Sequence, residues 1–291
     1  MIDTERAMKR DCRFLIACSA AIVTCAFGVA TSEAAGPTKL RAPRTYPLVI
    51  SAPGSYVLVE NFVVPDVNTS AIRITANDVT LDLDGFVISG PVVCNGYPAI
   101  CSGSGTGDGI VGVASNAVIR NGTVRGMGRA GISINGGILE GVRAVSNGQH
   151  GISGVACLIR DSVVAFNGTD GISGYGCVIT NNVAVGNTAT GILMSWSAIL
   201  GNTALGNGTY GIYTDAGAAH DNMTLSNGDS GIRMFGGTAV GNATYANEIY
   251  GIRANTNTGM GFNSAINNMV GETLSGHQLA NNLCGNDMTC P

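Results

Sequence analysis

Charge is scarce in this chain: 15 Lys and Arg and 19 Asp and Glu stand among 291 residues. The shortage of Lys and Glu argues against helical repeats, which need long Ala-, Leu-, Glu- and Lys-rich stretches at 3.6-residue spacing. There is no basic patch and no nucleic-acid motif, so neither DNA nor RNA is expected as a partner. No Cys pair stands at zinc-site spacing with His, so no metal centre is expected. Beyond the N-terminal segment no apolar run is long enough to span a membrane.

Glycine is plentiful, at 43 residues, and it is periodic. Gly-Ile pairs recur at Gly131-Ile132, Gly151-Ile152, Gly171-Ile172 and on to Gly251-Ile252, every step being 20 residues. A period of this size marks a repeat architecture. Its short apolar pieces, punctuated by Asn-Gly and Gly, read as strands and turns. Stacking the repeats gives columns. Asn stands at 147, 167, 187, 207, 227, 247 and 267, and again at 182, 202, 222 and 242. Three apolar columns run beside them, starting at Ile132, Leu139 and Val145. Equivalent residues of stacked parallel strands lie ~4.8 Å apart. Stacked Ile then fills an interior, and stacked Asn passes amide hydrogen bonds from coil to coil. The fold expected is all-β: a parallel β-solenoid with about 20 residues per coil.

The stretch from Ala71 to Gly85 (Ala-Ile-Arg-Ile-Thr-Ala-Asn-Asp-Val-Thr-Leu-Asp-Leu-Asp-Gly), followed by the Asn and Gly-Ile coils, resembles the right-handed parallel β-helix proteins. These form the pectin-lyase-like superfamily. The resemblance covers about residues 45–291 and implies a single right-handed parallel β-helix. It is specific for fold and weak for function, because one fold hosts many activities. Enzymes of this fold usually work on polysaccharides in a groove along one face. The pectate-lyase-like Arg-x-Pro-x-x-Arg stretch is represented only by Arg41-Ala42-Pro43-Arg44, at the wrong spacing. The polygalacturonase-like Asn-Thr-Asp and paired Asp-Asp are missing, as is the Asp-Pro-His-Asp of mannuronan epimerases.

Along the chain, residues 1–35 read as a signal peptide: Lys9, Arg10 and Arg13 precede the apolar Phe14 to Ala30, and small residues follow. Residues 36–45 read as a linker, 46–70 as an N-terminal cap with lead-in strands, 71–268 as the coils and 269–291 as a C-terminal cap. An insertion at 91–108 interrupts the coils and is the candidate wall of a groove. Export suits the six cysteines left after the signal. Cys94 with Cys101 closes the insertion, and Cys284 with Cys290 pins the tail. Cys157 and Cys177 occupy one column and read as stacked buried thiols, with a bridge between them as the alternative. The expected location is periplasmic or secreted, and the expected state a monomer.

Chemistry is sought in the outward columns. The residue before each Gly gives His150 and Asp170 as neighbours one coil apart, a candidate acid/base pair. Another column sets Glu140 beside Arg160, a substrate contact or an ordinary surface ion pair. Tyr175, Trp196, Tyr210, Tyr213, Phe235 and Tyr250 lie in or near turns and outward columns, where exposed rings suit stacking against sugars. Asp82 and Asp84 read as a solvated strand face rather than a Ca²⁺ pair, so no cofactor is expected. The reading is an exported protein that interacts with polysaccharide. A polysaccharide lyase or hydrolase using His150 and Asp170, and a purely structural solenoid, are its rivals.

Overall fold

The computed structural model describes residues 36–113, 116–274 and 276–285. The coil that begins at Ile172 shows the unit. It has three short strands, Ile172–Tyr175, Val178–Thr180 and Val183–Val185. Each pairs in parallel with its equivalent in the coils on either side. Ile172 lies between Ile152 and Ile192, Ile179 between Ile159 and Ile199, and Ala184 between Val164 and Ala204. The molecule is therefore a parallel β-helix with three faces, numbered here in that order.

The strands are short because each ends in a turn that needs a left-handed backbone. Gly176, Asn181 and Gly186 open the first, second and third turns with φ of 67°, 56° and 61°. Gly and Asn tolerate that region best. Asn then does a second job inside the coil. The backbone N–H and side-chain amide of Asn167 both donate to Asn187 Oδ1, and Asn187 donates likewise to Asn207 Oδ1. Asn182, Asn202 and Asn222 repeat this in the second turn. The first turn has a shorter version, in which Cys157 N–H donates to Cys177 Sγ and Cys177 N–H to Ser197 Oγ. Gly171 is glycine for space: a Cβ there stands 2.5 Å from Gly191 O and 2.8 Å from Asn187 Nδ2.

The core is the inside of the helix. Ile132, Ile152, Ile172, Ile192, Ile212, Ile232 and Ile252 are fully buried, as are Leu139, Ile159, Ile179 and Ile199. Fully burying one such side chain is worth roughly 1.5–3 kcal/mol. The column at Val145, Ala165, Val185, Leu205, Leu225 and Tyr245 corrects the sequence reading, because it points outward and, Ala165 apart, stays partly or well exposed. The inward residues of the third face stand one position earlier, at Ala144, Val164, Ala184, Ala204, Thr224 and Thr244. Strand side chains alternate, so a one-residue offset exchanges inside for outside. Their small size narrows the core at this face.

The period also slips towards the C-terminal end. Gly237 pairs with Thr258 and Ala239 with Met260, a step of 21 residues. The extra residue is taken up in a turn closed by Asn255, whose carbonyl accepts Thr258 N–H. The next ladder rungs are consequently Asn263 and Asn268, Asn263 donating in turn to Asn282 Oδ1, and Asn267 moves to the left-handed position with φ 56°.

Both ends carry more helix than the period suggests. Thr38–Leu40, in the expected linker, pairs with Tyr56–Leu58. Leu48–Ile50 and Phe62–Val63 complete a coil against Ile72–Ile74 and Val87–Ser89. At the other end Gly271–Leu274, His277–Gln278 and Leu283–Cys284 add strands to the three faces.

The insertion is a strap. Cys94–Asn95 pairs antiparallel with Ile100–Cys101 across the Cys94–Cys101 disulfide. It lies along the third turns of successive coils: Ala99 N–H donates to Gly186 O, Thr188 Oγ1 to Ala99 O, and Gly105 N–H to Gly128 O. Tyr97 meets Phe166 edge-on at 6.3 Å. Cys157 and Cys177 are free buried thiols. Cys284 is disulfide-bonded, and Cys290, its expected partner, lies outside the described residues, as does the expected signal peptide at 1–35.

Candidate functional site on the first face

The third turn delivers one residue per coil to the edge of the first face. Gly131 N–H donates to His150 O, Gly151 N–H to Asp170 O, Gly171 N–H to Thr190 O, Gly191 N–H to Tyr210 O and Gly231 N–H to Tyr250 O. His150, Asp170, Thr190, Tyr210, Ser230 and Tyr250 therefore form one edge column, each step ~4.8 Å along the axis. The face itself carries the outward column Ser153, Ser173, Leu193, Tyr213, Arg233, Arg253, paired residue to residue. Two residues on, the same strands present Val155, Tyr175, Ser195 and Asp215, with Phe235 next in line.

The aromatic residues that the sequence left scattered converge here. Tyr210 and Tyr213 have ring centroids 5.6 Å apart, and Tyr213 and Phe235 5.8 Å. Tyr175 and Trp196 border the first turn, where Trp196 is 73% exposed and holds a left-handed φ of 53°. Ala156, Gly176 and Ala216 hold the same conformation at the equivalent turns, so this φ belongs to the coil geometry and the exposed ring is the feature.

Two residues absent from the sequence reading complete the patch. Arg233 lays its guanidinium 4.2 Å from the Phe235 centroid, and Arg253 lies 5.6 Å from that of Tyr250. They are direct partners in adjacent coils. Among the described residues neither makes an ion pair with a carboxylate, and Arg253 Nε is buried without a hydrogen-bond partner. Two like charges about one rung apart repel each other, and an unmet buried donor costs ~1–3 kcal/mol. An anionic group at the outward guanidinium nitrogens offsets the repulsion. The signal was readable: the second residue of each repeat changes from Ser and Leu to Tyr, Arg and Arg as the chain proceeds.

Three coils nearer the N-terminus, about 14 Å along the edge column, stands the predicted dyad. His150 Nδ1 is 3.3 Å from Asp170 Oδ2 and 2.9 Å from Thr169 Oγ1. Thr190 N–H donates to the other Asp170 oxygen at 3.0 Å. Asp170 is buried, and His150 is partly exposed with no partner on Nε2 among the described residues. This fixes the ring and leaves one nitrogen facing outward. The strap lies beside it, since Gly148 and Gly168 of the same turns abut Gly103 and Cys101.

Glu140 and Arg160 are brought together on the second face, away from this site, as a direct ion pair. An exposed pair of this kind is worth ~0–1 kcal/mol. Asp82 is engaged by Arg120 at 2.9 Å and by Asn121. Among the described residues no group of three or more His, Cys, Asp or Glu is placed to hold a metal ion, and no helix is long and apolar enough to cross a membrane.

No family model and no curated protein matches the sequence. Among solved structures, the chain is similar to the periplasmic alginate epimerase AlgG, crystallised as a double mutant, with a TM-score of 0.55 and 13% identity, over 81% of this chain and 70% of that one. It is also similar to the A-module of the mannuronan C-5 epimerase AlgE4 of Azotobacter vinelandii, with a TM-score of 0.53 and 15% identity, over 79% of this chain and 87% of that one. The likeness is one of fold, the parallel β-helix.

Proposed function

We propose that this protein is an exported binder of acidic polysaccharide, periplasmic or secreted, and that its first face is the platform. The observation that carries this is the Arg233–Arg253 pair. The two arginines are backed by rings, stacked in one column and without carboxylate partners among the described residues. Guanidinium groups bind carboxylates and other oxyanions in bidentate geometry. Tyr210, Tyr213 and Phe235 supply apolar faces beside them for sugar rings. A linear chain lying along the axis meets both in turn. The epimerases that share the fold act on alginate and mannuronan, which is in keeping with a polysaccharide ligand.

Affinity electrophoresis through gels containing uronate-rich or neutral polysaccharides tests this. Retention by an acidic gel is expected, weakened about tenfold or more by Arg233→Ala with Arg253→Ala, and also weakened by Tyr213→Ala. Equal retention by neutral gels, or none by any, contradicts it. Loss of retention together with loss of all sugar-end release leaves a structural solenoid.

The geometry of His150 supports a second reading, catalysis on the same chain. A ring hydrogen-bonded at Nδ1 to the Thr169 hydroxyl, with the buried Asp170 carboxylate 3.3 Å from the same nitrogen, is poised to exchange a proton at Nε2. Release of unsaturated or reducing ends that disappears in His150→Ala and Asp170→Ala supports an enzyme with these residues. Release that persists in both variants rejects the pair.

A further inference from the structure

The third face is an uncharged strip. Over seven successive rungs, from Val163 to Leu283, its outward positions carry no charged side chain. Val183, Met223, Tyr245 and Leu283 are exposed apolar residues on it. Met223, Leu225, Tyr245 and Ile266 line a shallow groove of about 310 Å³ whose walls are almost wholly apolar. A run this long on a soluble face marks a contact surface. The charges that frame it indicate what covers it.

Arg125 and Arg143 stand exposed on the two rungs just before the strip, Arg143 at the start of its strand and Arg125 at the end of its own. Asp221 and Glu248 stand exposed at the other end. Asp221 is two residues before Met223, in the second turn, and Glu248 is three residues after Tyr245, in the third. None of the four makes an ion pair among the described residues.

We infer that this face pairs with the same face of a second copy, the two helices antiparallel, about a two-fold axis along the strand at Val183–Val185. That rotation lays the rung of Val163 on that of Thr203 and the rung of Arg143 on that of Met223, and sets the rung of Arg125 against that of Tyr245. Strand starts meet strand starts, so Arg143 faces Asp221 and Arg125 faces Glu248. Each charge meets its opposite twice, as a closed isologous interface requires. Leu205, Val185 and Val163 form the dry centre. The strap borders the contact along the third turns, with Tyr97 and Ile100 exposed on it. Seven rungs at ~4.8 Å and a strand width of ~12 Å cover roughly 400 Å² per copy, about 800 Å² in all, the lower end of weak, reversible interfaces. The first face of both copies stays open, so the pair is bivalent for a long ligand.

Sedimentation equilibrium of the purified protein over a concentration series tests this. A monomer–dimer equilibrium is expected, with Kd on the order of 10–100 µM. Leu205→Glu should weaken it at least tenfold while the circular dichroism stays unchanged. Glu248→Arg should weaken it, and Glu248→Arg combined with Arg125→Glu should restore it. Only pairing in this orientation gives that rescue. A monomer up to about 1 mM, a dimer indifferent to Leu205→Glu, or a charge swap without rescue each overturns the inference.

Discussion

Asn187 shows how much one side chain carries in this fold. Its oxygen accepts the backbone N–H and the side-chain amide of Asn167, and its nitrogen donates to Val164 O and Asn207 Oδ1, all without access to water. Asn187→Ala strands donors above it and acceptors below. The expected loss is about 3 kcal/mol in urea unfolding, since each buried unmet group costs ~1–3 kcal/mol. A loss under about 0.5 kcal/mol would mean that the ladder is decorative. Cys177 plays the same part with sulfur, accepting Cys157 N–H at 3.1 Å. The bond to Cys177, reinforced by burial, pushes the Cys157 thiol up. Because both side chains are buried, the two thiols should resist a thiol reagent in the folded protein and react in denaturant, with peptide mass identifying both. Labelling of either in the native state contradicts the buried column. The ladders were legible in the sequence because a hydrogen bond that repeats every coil demands the same residue every coil. Asn263 and Asn268 escaped because one residue inserted near Asn255 shifts the register.

At the scale of elements, the strap and the faces behave differently. The faces are held by ladder bonds and core, whereas the strap rests on the third turns through a few bonds and the ring of Tyr97. Gly206 is glycine because Tyr97 covers it: a Cβ there falls within 2 Å of the Tyr97 hydroxyl. Replacing both Cys94 and Cys101 with Ser opens a loop whose ends are 7 residues apart. The expected cost is about 2 kcal/mol, expressed locally. Limited proteolysis should cut first within 91–108 and leave the coils intact. Simultaneous digestion of coils and strap would show instead that the strap braces the whole helix. The strap was visible in the sequence as an interruption closed by two cysteines, but its docking was not. Those contacts join residues as far apart as Ala99 and Thr188, and no local pattern encodes them. The third face was misread for a simpler reason. Its outward column is as apolar as its inward one, so alternation of polarity could not set the phase. That lack of contrast is what the pairing of two copies accounts for.

At the scale of the whole molecule, the parallel β-helix turns a repeat into a ruler. Residues 20 apart become neighbours, so a linear ligand can be met by edge and face columns at a regular step. The sequence placed His150 and Asp170 together because they share a column. It could not say that Tyr175, Trp196, Tyr213 and Phe235 share a face, since that depends on where each coil turns. The change of the outward first-face column to Arg233 and Arg253 was readable at 20-residue spacing, but their lack of carboxylate partners among the described residues shows only in three dimensions. The site that results is cationic on a chain whose formal net charge is −4. A local positive patch on an acidic molecule selects for anionic ligands at short range, and salt weakens that selection.

The most direct test of that account is isothermal titration of the protein with an acidic polysaccharide, and with the same polysaccharide after its carboxyl groups have been reduced, from about 10 to 300 mM NaCl. The account predicts binding to the native polymer that falls steeply with salt. It predicts at least tenfold weaker binding to the reduced polymer, and an Arg233→Gln, Arg253→Gln double variant that binds both polymers equally and weakly. Native and reduced polymers bound alike by the unaltered protein, or a double variant that still prefers the acidic one, would contradict the assignment of the first face.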